Sequence, residues 1–131
     1  MQPGIDYLPK PEVITPDFMR DLMDAYYMRK WNPNKDTVTA VKSWRDWPMI
    51  VRMPDLQKDF TVMIDQGMVT EVTNGQAPNP RILTIILADT MQRINYDETT
   101  SAIELIAGRI KVRGNETERR RMLAAISYLT W

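Results

Sequence analysis

Hydrophobic and polar positions follow two different periods along the chain of 131 residues. Apolar residues recur every three or four positions near both ends, which predicts a helix over 16–31 and a last helix from 116 to the end of the chain. From residue 49 the period changes to two, which is typical of strands. The five predicted strands cover residues 49–53, 59–65, 68–73, 81–87 and 109–113.

Helix starts are marked by capping residues, beginning with Thr15-Pro16-Asp17 ahead of the first helix. Further starts are predicted at Asp36, Asp89, Thr99-Thr100 and Asn115. The segment from Asp36 to about Arg45 is predicted as a short helix, although its β-branched residues are compatible with a strand.

Helices and strands are segregated along the chain, which predicts an α+β fold. Short connections favour antiparallel pairing of the first four strands, whereas the fifth follows a helical crossover and is free to pair in parallel. Residues 1–14 contain three prolines and are predicted to form an extended arm, followed by one domain over 15–131. The length fits a single domain.

Composition removes several classes of function. Lysine plus arginine and aspartate plus glutamate both number 17, so the zero net charge disfavours a nucleic-acid partner. The chain has no cysteine and no histidine, which excludes thiol and histidine catalysis and the usual zinc sites. No metal or cofactor is expected. Because no apolar run of 18 residues and no signal-peptide pattern occur, the expected location is the cytoplasm.

Carboxylates are the remaining candidates for catalysis. The nearest groupings are Asp55 with Asp59, Asp65 with Glu71, and Asp97 with Glu98. Each lies at a predicted turn, cap or hairpin, where turn chemistry explains an acidic residue without catalysis. The chain is therefore expected not to be an enzyme.

Two segments carry a resemblance to a known family. LTIILADTM at 83–91 is an alternating strand that runs into an acidic helix start, and TSAIELIAGRIKVRG at 100–114 combines a helix, a glycine and an alternating basic strand. Both resemble the sterol carrier protein 2 family, and the segments 41–46 and 60–72 are similar to it in order and spacing. The resemblance covers roughly residues 41–130.

The resemblance implies a five-stranded, mostly antiparallel sheet covered on one face by about five helices, with an apolar tunnel between the layers. Members bind sterols, fatty acids, acyl-CoAs or phospholipids, and the fold also occurs as an accessory domain of enzymes. We expect the tunnel to be lined by Phe60, Leu83, Ile85, Leu87, Met91, Ile94, Ile103, Ile106, Met122 and Ile126. Ten methionines suit such an adaptable pocket, while a solid core built from the same residues is the alternative.

Binding of a lipid or other apolar ligand is the function expected from these features, with transfer of the ligand left open. The alternative is an interaction or dimerisation module that serves a separate enzyme. It rests on Ile86, Met63 and Tyr128, which the sequence pattern leaves off the main core. A homodimer and transient contact with a membrane are left open.

Overall fold

The computed structural model describes residues 11–131. Its helices are α1 (Pro16–Tyr26), α2 (Lys35–Ala40), α3 (Ala88–Asn95), α4 (Ser101–Ile106) and α5 (Glu116–Ser127). Its strands are β1 (Trp47–Met53), β2 (Lys58–Asp65), β3 (Met68–Asn74), β4 (Ile82–Ile86) and β5 (Ile110–Arg113). Of the arm predicted over 1–14, residues 1–10 lie outside the described residues, and 11–14 are in neither helix nor strand. Within the described chain, no helix combines the length and apolar character needed to cross a membrane.

The five strands form one sheet in the order β3-β2-β1-β4-β5. Neighbouring strands are antiparallel except β1 and β4, which run in parallel. The predicted α+β class and the mostly antiparallel sheet are thus confirmed. The parallel option for the fifth strand is wrong, because β5 pairs antiparallel with β4 at the edge.

The parallel pair arises because the chain crosses the sheet between β3 and β4 without a helix. Thr61 of β2 donates its hydroxyl to the Gly75 carbonyl at 2.8 Å and accepts the Ala77 amide at 2.9 Å. The Arg81 amide then reaches the Pro48 carbonyl of β1 at 3.3 Å. These hydrogen bonds hold the connection against the outer face of the sheet and bring β4 to the far side of β1.

The helices cover the opposite, inner face of the sheet. Thr15 caps α1 by accepting the Phe18 amide at 3.1 Å, which confirms the predicted start of this helix. Residues at the i, i+3, i+4 and i+7 positions of α1 are buried: Met19, Leu22, Met23 and Tyr26. Every second residue of β1 and β2 joins them in the core: Met49, Val51, Met53, Phe60, Val62 and Ile64.

A π-helical segment (Tyr27–Trp31) continues α1. The Asn32 amide donates to the Tyr27 carbonyl at 2.8 Å, the five-residue spacing that defines this helix type. The wider turn lets the consecutive side chains of Arg29, Lys30 and Trp31 all be buried. The predicted end of the helix near Trp31 is correct, but the sequence pattern did not reveal the change of period.

The predicted boundaries of three helices are wrong, and long-range contacts accompany the changes in two of these helices, α3 and α5. Asn34 rather than Asp36 caps α2, which ends at Ala40 and not near Arg45. Asp55, from the turn after β1, accepts the Ala88 and Asp89 amides at 2.7 and 3.2 Å and so caps α3 in place of Asp89. The last helix ends at Ser127, after which the Leu129 carbonyl accepts the Ala102 amide at 3.0 Å.

Candidate ligand-binding site

A small cavity lies between the inner face of the sheet and the helices. Its volume is about 20 Å³, which is room for roughly one water molecule. The lining residues are Tyr26, Tyr27, Trp31, Val51, Thr84, Ile86, Met91, Ile94, Ser101, Ile110, Met122 and Ile126. They come from α1, its π-helical extension, three strands and helices α3 to α5. Among residues 11–131, the space between the sheet and the helices is therefore a nearly filled chamber and not an open tunnel.

Four of the residues predicted to line a tunnel do meet at this cavity: Met91, Ile94, Met122 and Ile126. All four are buried, on helices α3 and α5. Phe60 is buried in the core but does not line the cavity. The members of the predicted set on α3 and α5 thus meet around one space, with α3 on one side and α5 on the other.

The predicted residues at and beyond β4 have the wrong phase. Thr84 lies opposite Val51 in the β1–β4 register, so Thr84 and its second neighbours belong to the inner face. Leu83 and Ile85 consequently lie on the outer face, where they are half-buried. Leu87 lies beyond the end of β4 and is 41% exposed.

The face of α4 is also opposite to the prediction. Ile103 is 54% exposed and Ile106 is 87% exposed, so neither lies at the cavity. The buried side chains are Ser101, Ala102 and Glu104. Glu104 turns inward because its carboxylate pairs with Arg93 at 2.8 Å and with Arg109 at 2.5 Å. A buried carboxylate with two arginine partners outweighs the simple preference for isoleucine inside.

The polar groups of the cavity are aromatic and aliphatic hydroxyls that sequence analysis did not place in the site. The hydroxyls of Tyr26 and Ser101 form a hydrogen bond of 2.8 Å. Burial raises the pKa of Tyr26 to about 12 although the Ser101 hydrogen bond lowers it, and burial raises the pKa of Tyr27 far above its usual range. Both phenols therefore stay uncharged at neutral pH. Tyr26 and Tyr27 fall within the helix predicted over 16–31, and the helical spacing of its apolar residues was the one available signal.

A charged cluster lies immediately outside the cavity and joins α1 to α3. The Lys30 ammonium donates to Asp97 Oδ1 at 2.8 Å and to the carbonyls of Ile94 and Trp131 at 3.0 and 3.2 Å. Arg29 donates to the Asn95 carbonyl at 2.8 Å and to Asp97 at 3.2 Å. Burial and the neighbouring charge of Arg29 lower the pKa of Lys30, although the contact with Asp97 raises it. Both cations are thus used in holding the helices together.

Four of the carboxylates considered as catalysts, Asp55, Asp59, Asp65 and Asp97, have structural partners. Asp55 caps α3, and Asp59 pairs with Arg52 through contacts of 3.0 and 3.2 Å. Asp65 accepts the Asp46 amide at 3.1 Å. In the part of the chain that the structure describes, no group of three acidic residues is arranged to hold a metal ion.

Comparison with solved structures shows which known proteins share this fold. No family model and no curated relative matches the sequence. Among solved structures, the ubiquinone synthesis protein UbiJ-SCP2 has a TM-score of 0.57 and 12% identity, over 88% of this chain and 94% of that one. Sterol carrier protein 2 like 2 from Aedes aegypti has a TM-score of 0.50 and 16% identity, over 81% and 90%. The chain thus has the fold of sterol carrier protein 2, as its sequence suggested.

The same fold occurs within a larger enzyme. A sec-alkyl sulfatase, PisA1, has a TM-score of 0.55 and 19% identity over 90% of this chain. The chain spans 17% of the length of that sulfatase. At sequence identities this low, the structural similarity shows a shared fold and nothing more. The activity of each protein depends on its own site.

Proposed function

We propose that this chain binds a lipid or other apolar ligand between its sheet and helices and does not transform it chemically. The observation that carries the proposal is the uncharged, largely apolar cavity at the centre of a fold shared with proteins named sterol carriers. Apolar chambers with a few polar groups are the usual form of a small-molecule site. Of the carboxylates that sequence analysis considered for catalysis, Asp55 caps a helix and Asp59 and Asp97 form ion pairs, which supports a binding role. The absence of cysteine suits action in the cytoplasm.

Ligand entry requires side chains to move, because a cavity of about 20 Å³ is far below the volume of an alkyl chain. Met91 and Met122 line it from opposite helices, and the flexible, unbranched thioether adapts to such a change. Each methylene that the ligand buries contributes about 0.8 kcal/mol. We therefore expect affinity to rise with chain length until the enlarged chamber is filled.

The alternative function, an interaction module that serves another protein, receives mixed support. Ile86 is buried in the core, so the prediction that it lies on an outer patch is wrong. Met63 is half-buried and Tyr128 is 46% exposed. Ile103 and Ile106 form a new exposed apolar face on α4. An obligate dimer in light scattering, with no ligand bound or extractable, would favour this alternative.

Blocking the chamber tests the proposed function. Ile126 is buried at the cavity, whereas the next residue of α5, Ser127, is exposed. The indole of Ile126→Trp is larger than the space available and will compete with the ligand. We expect a pyrene-labelled C16 alcohol to bind the unchanged protein saturably, and Ile126→Trp to weaken binding at least about tenfold.

Ser127→Trp is the matched control, because it adds the same ring outside the chamber and is expected to leave the affinity unchanged. Circular dichroism and thermal unfolding establish that both variants are folded. Equal binding by all three proteins, or no saturable binding by any, would refute a ligand site in this chamber.

A further inference from the structure

The polar lining of the cavity consists of side chains that are neutral at physiological pH. Its hydroxyl groups belong to Tyr26, Tyr27, Thr84 and Ser101, and none of the described residues that line it carries a charge. The one indole in the lining, Trp31, already donates to the Gly67 carbonyl at 2.9 Å. Thr84 is in contact with the Met49 sulfur at 3.4 Å. Tyr26 and Ser101 are the two hydroxyls of the described lining that form a hydrogen bond with each other, which makes them the candidate polar pair to meet a ligand.

The Tyr26–Ser101 pair has hydrogen-bonding capacity left over. Each hydroxyl carries one hydrogen and two lone pairs, and their mutual hydrogen bond of 2.8 Å uses only one of the two hydrogens. The second hydrogen has no acceptor among the described residues. Both side chains are buried, at 4% and 1% exposure, so leaving this donor unpaired against a hydrocarbon is unfavourable. An uncharged oxygen on a ligand would satisfy it.

A charged head group has no comparable partner in the chamber. The nearby cations Lys30 and Arg29 are held by Asp97 and by backbone carbonyls. Arg93 and Arg109 are both paired with Glu104. A carboxylate or phosphate brought to the Tyr26 hydroxyl would be a buried charge without a counter-ion, which is strongly disfavoured.

We propose that the chamber selects apolar ligands with an uncharged, hydrogen-bonding oxygen head, such as an alcohol, phenol, ketone or quinone. The head is bound by the Tyr26–Ser101 hydroxyl pair, and ligands of equal chain length with an anionic head are excluded. This inference rests on the proposed function, since it specifies the ligand class of the same chamber. The bound ligand is oriented so that its head-group oxygen lies inside the chamber together with its alkyl chain, and not at the protein surface.

Competition between ligands of equal chain length tests the selectivity. Hexadecan-1-ol, methyl hexadecanoate and hexadecanoate are each used at pH 8, below their aggregation limits, to displace the pyrene-labelled C16 alcohol. The ester and the acid share a chain and a carbonyl, and differ in charge. We expect the alcohol and the ester to displace the probe, and hexadecanoate to need at least about a hundredfold higher concentration, because its charge would be buried unpaired.

Replacing each hydroxyl of the pair tests whether Tyr26 and Ser101 bind the head group of the ligand. Tyr26→Phe and Ser101→Ala are each expected to weaken the binding of hexadecan-1-ol about two- to tenfold, which is the usual effect of one lost hydrogen bond. Binding of 1-hexadecene, which has no oxygen, is expected to stay the same or to improve. Thr37→Val is the matched control, because the Thr37 hydroxyl is equally buried but donates to the Ala125 carbonyl away from the cavity. A folding defect alone would weaken the binding of all ligands alike and leave the ratio of their affinities unchanged.

The outcomes separate this inference from the proposed function. If hexadecanoate displaces the probe as well as its methyl ester does, while Ile126→Trp still weakens binding of the probe, the chamber binds lipids but the head-group inference is wrong. The same conclusion follows if Tyr26→Phe and Ser101→Ala leave the ratio of the affinities for hexadecan-1-ol and 1-hexadecene unchanged. If none of the ligands displaces the probe and the probe does not saturate, the proposed function itself fails.

Discussion

Met122→Ala is expected to lower the free energy of unfolding by about 2–5 kcal/mol, and an apolar ligand is expected to restore much of the loss. Met122 is 2% exposed, and its side chain lies beside the existing cavity of about 20 Å³. Truncation joins the new void to this space, so the ligand no longer has to displace the methionine. Hexadecan-1-ol is therefore expected to raise the melting temperature of Met122→Ala by more than that of the unchanged protein.

Met19→Ala is the control for this experiment, because Met19 is equally buried in α1 but does not line the cavity. It is expected to lose a similar amount of stability without a larger response to the ligand. Urea unfolding gives the free energy of unfolding of each variant, and thermal unfolding with and without hexadecan-1-ol gives the ligand-induced shift in melting temperature. Identical ligand shifts in Met122→Ala and Met19→Ala would mean that the cavity has no part in binding.

Asp97→Asn is expected to lower the free energy of unfolding by about 2–3 kcal/mol at pH 7, because it leaves two buried cations without their shared acid. Lys30 is fully buried, and Arg29 is nearly so. The Asp97 side chain is 41% exposed, so solvent screening makes the loss smaller than for a fully buried pair. Asp21→Asn is the control, since the Arg20–Asp21 pair is exposed and is expected to contribute under about 0.5 kcal/mol.

The effect of Asp97→Asn depends on pH with a definite sign. Burial raises the pKa of Asp97, but hydrogen bonds from Lys30 and Arg29 outweigh it, and the net pKa of the folded protein is lowered. A lowered pKa stabilises the folded state above the unfolded value of about 3.9, and this contribution is lost as the pH falls through the folded value. The stability difference between the variant and the unchanged protein is therefore expected to shrink below about pH 4. A constant difference from pH 7 to pH 3 would contradict the ion-pair explanation.

Local signals in the sequence predicted the elements of this fold well. Alternation located all five strands, and side chains at Thr15, Thr100 and Asn115 cap the helices that follow them. These signals succeed because capping and strand alternation depend on residues that are close in sequence. The resemblance at 83–91 and 100–114 added the arrangement of the layers, which the structure confirms.

Long-range contacts decided what the sequence could not show. β4 carries apolar side chains on both faces, and its outer-face residues Leu83 and Ile85 are half-buried, so alternation alone gave no phase for Leu83. Glu104 is directed inward by Arg93 and Arg109, which lie on either side of it in the sequence and are brought together only by the fold. Asp55 caps a helix that begins 33 residues later.

The cavity itself was predicted only in part for the same reason. Met91 and Met122 were found because each lies on the apolar side of an amphipathic helix. Tyr26 and Ser101, whose hydroxyls meet in the chamber, are 75 residues apart, and no sequence period connects them. Polar groups that complete a ligand site are therefore the part of the site that most depends on the structure.

Methyl NMR of the methionines tests the central claim, binding within the chamber, most directly. Protein labelled with carbon-13 at the methionine methyl groups is titrated with hexadecan-1-ol. Met91 and Met122 line the cavity, while Met28 and Met68 are 69% and 44% exposed and serve as internal controls. The proposal predicts saturable shifts and ligand contacts at the methyls of Met91 and Met122, with Met28 and Met68 unchanged. Shifts confined to Met28 or Met68, with Met91 and Met122 unaffected at saturation, would contradict it.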